Sequence, residues 1–85
     1  MIARAGSGAI NIYTGANITG TGADGVFAFN GGVGQATVID TTGGTIKANN
    51  NGIDVIALGA GSTSSVTNTD AINVATGSGI VAKTG

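Results

Sequence analysis

Short runs of apolar, mostly β-branched residues alternate along the chain with turns rich in Gly, Asn and Ser. Each run has four to seven residues, a length that is typical of a β-strand. No stretch combines the apolar spacing and the capping residues that a helix requires. The pattern therefore predicts strands at 10–14, 16–19, 25–30, 36–41, 44–48, 52–58, 64–69, 71–75 and 79–83.

The predicted strands recur with a period of about 27 residues, which is the signature of a repeat architecture. Gly25, Gly52 and Gly79 are evenly spaced at this period, and each opens an apolar run. Other positions align at the same spacing or with a one-residue slip. These columns are Asp24, Asn51 and Ser78; Ile12, Ile39 and Val66; Thr14, Thr41 and Asn68; and Ile18, Ile46 and Ile72.

Three short strands in each repeat predict an all-β fold, namely a parallel β-helix (β-solenoid) with about three coils of ~27 residues. We expect a single segment over 1–85, with two complete coils between partial ones. Its parts are a frayed or linking N-terminus (1–9), a partial coil (10–24), coils 25–51 and 52–78, and a partial coil (79–85). Gly and Asn are expected to supply positive φ angles at the corners.

Two polar columns are predicted to form ladders that join one coil to the next. Asp24, Asn51 and Ser78 fall at one corner, where stacking would place them ~4.8 Å apart and allow hydrogen bonds between coils. A second ladder is expected through Thr14, Thr41 and Asn68.

The first strand of each repeat has an inward and an outward set of residues. The inward columns are predicted to be Val26, Ile53 and Ile80, and Ala28, Val55 and Ala82. Asp54 and Lys83 fall in the alternate columns, and because unpaired charges are rarely buried, those columns are expected to face solvent. Phe27, Phe29, Ile56 and Val81 would then form an exposed apolar patch and a candidate lateral interface. The alternative is that Phe27 and Phe29 point inward, with the register locally shifted.

Composition excludes several kinds of chemistry. The chain has 85 residues and a net charge of −1, and it contains neither Cys nor His, so thiolate and imidazole chemistry is excluded. No basic surface suits a nucleic acid, and no apolar run is long enough to span a bilayer. We therefore expect no enzyme activity, no catalytic, cofactor-binding or metal-binding residues, no nucleic-acid partner and no membrane insertion of this segment.

Residues 59–83, with the sequence GAGSTSSVTNTDAINVATGSGIVAK, resemble the β-helix repeats of bacterial autotransporter passenger domains and related secreted adhesins. Residues 36–57 follow the same pattern one coil earlier, and the resemblance extends from about Gly8 onward. It implies a right-handed parallel β-helix at the surface of a Gram-negative bacterium or released from it. The passengers of that family run to hundreds of residues, whereas this chain has 85.

The resulting hypothesis is a non-catalytic structural or adhesive segment of an exported bacterial surface protein. Its expected partners are the flanking coils of a longer chain or copies of itself, because both ends of so short a stack present open strand edges. The main alternative is a subunit of an extracellular filament that stacks end to end. A further alternative is an ice-binding solenoid, which needs regular Thr ladders, and Asn68 interrupts the Thr14–Thr41 column.

Overall fold

The structure is a computed structural model of the 85-residue chain. It describes residues 2–6, 8–15, 17–20, 24–33, 35–40, 44–69 and 71–84, and at residues 5, 14 and 35–40 it describes the backbone alone.

The described residues form ten β-strands and no helix, so the prediction of an all-β fold is confirmed. Nine strands coincide with the nine predicted runs to within two residues at either end. The strands are β1 (Ile2–Ala5), β2 (Ile10–Thr14), β3 (Ile18–Gly20), β4 (Val26–Asn30), β5 (Gln35–Asp40), β6 (Thr45–Ala48), β7 (Ile53–Ala57), β8 (Thr63–Asn68), β9 (Ala71–Val74) and β10 (Ile80–Thr84).

Consecutive strands belong to different sheets, and every pairing is parallel. Sheet A has the order β1-β4-β7-β10, sheet B the order β2-β5-β8 and sheet C the order β3-β6-β9. Each pass of the chain therefore adds one strand to each sheet, beside the strand of the previous pass.

The N-terminal residues differ from the prediction. Residues 1–9 were expected to fray or to act as a linker, but Ile2–Ala5 forms strand β1 and pairs with β4 in sheet A. Ile2 pairs with Phe27, a separation shorter than the repeat period, which is why the period did not reveal this strand. Ala3 packs against the core while Arg4 is exposed, so even this short strand has an inner and an outer side.

The predicted columns are present in sheets A and C. Val26 pairs with Ile53 and Ile53 with Ile80, and the column that begins at Ala28 follows the same register. In sheet C, Ile18, Ile46 and Ile72 lie side by side as expected.

The predicted register of sheet B is wrong by one residue. Ile12 pairs with Val38, not with Ile39, and Val38 pairs with Val66. Likewise Thr14 pairs with Asp40, and Asp40 with Asn68, so Thr14, Thr41 and Asn68 do not form one column. Thr41 itself lies outside the described residues.

A turn of changing length explains this shift. Counted between one fixed column of sheet A and one fixed column of sheet B, the connection grows by one residue at each pass. It runs from Ala5 to Ile10, then from Asn30 to Ala36, and then from Ala57 to Ser64. A constant period cannot describe a corner that lengthens in this way.

The core lies where the inner sides of the three sheets meet. Its buried residues come from every sheet: Ile10, Ile12, Val26, Ala28, Ile46, Ile53, Val55 and Ala57. Burial is complete in the middle of the stack and partial at its end, since Val26 and Ile53 are 0% exposed whereas Ile80 in the same column is 46% exposed. A side chain in this fold is covered by the passes on both sides of it.

Two of the three repeated glycines, Gly25 and Gly52, are required by close approach and not by positive φ. Among the described residues, positive φ occurs only at Gly8 and Gly61, so the expectation for the corner glycines is wrong for Gly25, Gly52 and Gly79. A Cβ on Gly52 would lie 2.6 Å from the Gly79 carbonyl oxygen and closer still to Cγ2 of Ile72. Gly25 is in the same situation against the pass that follows it.

We predict that Gly52→Ala destabilises the protein by about 1–3 kcal/mol, because the added methyl group overpacks a corner whose neighbours include rigid backbone. Gly79→Ala is the matched control, since a Cβ there meets nothing within 4 Å. Urea unfolding followed by circular dichroism measures both variants. Equal losses of stability in the two would contradict the close-approach explanation.

Candidate functional site

A chain of hydrogen bonds joins successive passes at the corner between sheets C and A. Oδ1 of Asp24 accepts hydrogen bonds from the backbone N–H of Asn51 and from Nδ2 of Asn50, both at 3.0 Å. Oδ1 of Asn51 in turn accepts from the backbone N–H of Ser78 at 2.9 Å. Asp24, Asn51 and Ser78 are thus linked in one ladder, in which the side-chain oxygen of one pass binds the amide of the next.

The sequence analysis missed two further links between passes, one at the corner between sheets B and C and one at the corner between sheets C and A. Oδ1 of Asn17 accepts from the backbone N–H of Thr45 at 2.9 Å, and the hydroxyl of Thr76 donates to the Asn49 carbonyl at 2.6 Å. Each link joins residues 27 or 28 positions apart, so an Asn or Thr next to a strand end, about one period from its partner, was the available signal.

Asn30 is a fully buried polar residue at the end of β4. Its Nδ2 donates to the carbonyl of Gly8, and its Oδ1 accepts from the backbone N–H of Gly32 at 3.1 Å. Because both ends of the amide are satisfied, burial of Asn30 carries little penalty. The side chain ties the corner between sheets A and B in one pass to the same corner in the pass before.

The outer face of sheet A contains the four residues predicted as a lateral interface. Phe27, Phe29, Ile56 and Val81 are each half-buried, and none belongs to the core cluster. Val26 and Ala28, which alternate with the two phenylalanines, are fully buried. The phenylalanines therefore point away from the core, and the alternative of an inward orientation is wrong.

The two aromatic rings and one cation partly cover this outer face. The rings of Phe27 and Phe29 are stacked, with centroids 6.3 Å apart and an angle of 18° between their planes. The guanidinium of Arg4, held by β1, lies 5.8 Å from the centroid of Phe27, within the range of a cation–π contact. The expected exposed apolar patch is consequently a half-exposed surface flanked by positive charge.

Asp54 contradicts the prediction that its column faces solvent, because only 9% of its surface is exposed. The register places it between Phe27 and Val81 in the same column of sheet A, and these two apolar neighbours cover it. Its Oδ2 accepts a hydrogen bond of 3.4 Å from Nδ2 of Asn51. Its Oδ1 is buried and has no hydrogen-bond partner within the described part of the chain.

The environment of Asp54 favours its protonated form. Burial raises the pKa of this carboxyl above its ordinary value, and the negative charge of Asp24 raises it further. The hydrogen bond from Asn51 and the charge of Lys83 act in the opposite direction, but they are the weaker influences. A proton on Asp54 would remove its repulsion by Asp24 and would give this carboxyl a hydrogen-bond donor.

The arrangements described above are the outer face of sheet A and the hydrogen bonds that join successive passes. Among the described residues, no three acidic, His or Cys side chains are grouped in a way that could hold a metal ion. Over the same residues, no helix has the length and apolar character needed to cross a membrane. Comparisons with protein-family models, with curated proteins and with solved structures found no match.

We predict that the wild-type protein gains stability as the pH falls from 7 toward 4. A carboxyl whose pKa is raised in the folded state binds its proton more tightly there than in the unfolded chain, where the pKa is about 3.9. Stability is therefore lost as the pH rises through the raised pKa of Asp54. The thermal unfolding midpoint, measured across this pH range, should decrease toward neutral pH.

Asp54→Asn provides the control for this prediction. Its neutral amide can accept from Asn51 and donate toward Asp24, as a protonated carboxyl would, so this variant should lose the part of the pH dependence due to Asp54. At pH 7 it should be at least as stable as the wild type. Identical pH profiles for the two proteins would contradict a raised pKa of Asp54.

Proposed function

We propose that this chain is a non-catalytic structural or adhesive segment of an exported bacterial surface protein, folded as a parallel β-helix. The observation that carries the proposal is the strand order, in which each pass adds one strand to each of three parallel sheets. Repeats arranged in this way contact only their neighbours along one axis, as in a solenoid. The resemblance to autotransporter passenger and adhesin repeats supports right-handed winding and a location at the cell surface.

The use of the polar side chains supports a structural role. Asp24, Asn51 and Asn30 bind backbone groups of neighbouring passes or of their own turn, where they stabilise the stack. The chain contains no His, Cys or Glu, the residues that most often supply acid–base or nucleophilic chemistry together with Asp. An extended scaffold that presents its outer faces fits this composition better than an enzyme does.

The second candidate function is a subunit of an extracellular filament with the same fold. It is favoured by the incomplete burial of the last pass, where Ile80 remains 46% exposed although its counterparts Val26 and Ile53 are fully buried. Another pass of the same kind would cover it. That pass comes either from a longer chain or from a second molecule.

We predict that inserting a second copy of residues 52–78 after position 78 yields a folded and more stable protein. An added repeat in a solenoid contributes its own stability and one more interface, so the thermal unfolding midpoint should rise by at least about 5 °C. The control inserts the same segment with its residues in scrambled order. A destabilised or unfolded duplication, with a spectrum like that of the scrambled control, would overturn the β-helix proposal.

The surface location leads to a separate prediction for the organism that encodes the chain. Antibodies raised against the chain should label intact cells or the culture medium, and protease added to intact cells should remove the cell-associated label. A cytoplasmic protein examined in parallel should stay protected. Labelling that appears only after the cells are permeabilised would contradict the proposed location.

A further inference from the structure

Both ends of the stack present edge strands whose outer side has no strand partner among the described residues. One end is formed by β1, β2 and β3, and the other by β10, β8 and β9, in sheets A, B and C respectively. At the second end, Gly79 has open space where Gly25 and Gly52 each contact the carbonyl of the following pass. Ile2 at one end and Ile80 at the other are 68% and 46% exposed. Each end of the stack therefore exposes a surface that, in the middle of the stack, is covered by the adjacent pass.

The number of strands determines how a second copy can fit on this surface. In the described part of the chain, sheet A has four strands, whereas sheets B and C have three each. If the second copy placed its sheet A on sheet A, its β1 would pair with β10, and one strand would be missing from each of the other two sheets. That gap is one strand wide, about 4.8 Å, and it would leave the core uncovered at sheets B and C.

Charge also opposes the stacking of sheet A on sheet A. Arg4 and Lys83 stand at the two ends of one column, separated within a single chain by Phe29 and Ile56. Stacking sheet A on sheet A would place Arg4 of one copy beside Lys83 of the other. Like charges on directly adjacent strands are destabilising.

We propose that the chain binds a second copy of itself end to end, rotated by one sheet, so that β1, β2 and β3 of one copy extend β8, β9 and β10 of the other. The proposal rests on the β-helix of the proposed function and identifies the partner of its open ends. After β10, the next strand in the winding order belongs to sheet B, beside β8. A copy that enters at that point continues all three sheets without a missing strand.

The side chains that meet in this arrangement are compatible. Ile72 and Val74 of β9, both half-buried, would face β2, whose inner residues Ile10 and Ile12 belong to the core. Ile18 of β3, which is partly buried against the core, would cover the exposed Ile80 of β10.

Arg4 has suitable neighbours in the same arrangement. The strand beside it would be β8, whose exposed positions Thr63, Ser65 and Thr67 are uncharged. Apolar residues would therefore meet apolar residues, and no like charges would become adjacent.

Introduced cysteine pairs distinguish the arrangement rotated by one sheet (the rotated phase) from the stacking of sheet A on sheet A (the unrotated phase). They do so because the chain has no Cys of its own. Thr19→Cys combined with Val81→Cys reports the rotated phase, in which β3 of one copy lies beside β10 of the other. Arg4→Cys combined with Lys83→Cys is the matched pair for the unrotated phase. Within one chain the first pair lies in different sheets, and the second is three strand spacings or about 14 Å apart, so neither can close internally.

Each purified variant is oxidised gently at several protein concentrations and separated on a non-reducing gel. We expect the Thr19/Val81 pair to give a ladder of multiples of 8.0 kDa, with at least tenfold more dimer than the Arg4/Lys83 pair. Equal yields, a ladder from the Arg4/Lys83 pair alone, or monomer from both pairs at millimolar concentration would overturn the proposal. If the duplication of residues 52–78 is folded and stabilised while the cysteine pairs stay monomeric, the end-to-end contact fails and the β-helix stands.

Discussion

The structure depends on one constraint: each residue in a strand lies beside its counterpart from the previous pass, at the spacing of a parallel sheet. Backbone hydrogen bonds enforce this pairing in the strands, and they continue through the corner where Val26 donates to the Gly52 carbonyl and Ile53 donates to the Gly79 carbonyl, both at 2.9 Å. Every side chain must consequently tolerate a neighbour of the same column about 4.8 Å away on each side. Compact β-branched residues meet this demand inside, and glycine meets it where the corners approach one another.

The same constraint accounts for the low charge of the chain, which has 8% charged residues. The columns of the described strands separate like charges: Phe29 and Ile56 stand between Arg4 and Lys83, and Lys47 lies between Thr19 and Asn73. Asp54 is the exception, because its charged form is disfavoured: its column neighbours Phe27 and Val81 bury it, and the negative charge of Asp24 repels it. The outer face of sheet A therefore holds an acid whose ionisation the fold opposes.

Much of the fold follows from the sequence because local alternation and the regular spacing of the repeats are strong signals of short stacked strands. Both signals depend on constant geometry, and they fail where the geometry changes. Sheet B is displaced by one residue because the turn before it lengthens, and β1 was missed because its separation from β4 is shorter than the period. The burial of Asp54 was missed for another reason: alternation tells which side of a sheet a residue occupies, but not how fully its column neighbours cover it.

The corner between sheets A and B differs from the corner between sheets C and A in how it tolerates a change of length. At the corner with Asp24, Asn51 and Ser78, the hydrogen-bonded residue always lies two residues before the following strand, so this part of the turn keeps a constant length. At the other corner, one residue is added at each pass and the strands that follow remain paired. The corner with Asp24, Asn51 and Ser78 therefore fixes where each pass begins its strand in sheet A. The corner between sheets A and B tolerates longer loops, so natural or engineered insertions there can carry recognition sequences while the strands stay paired.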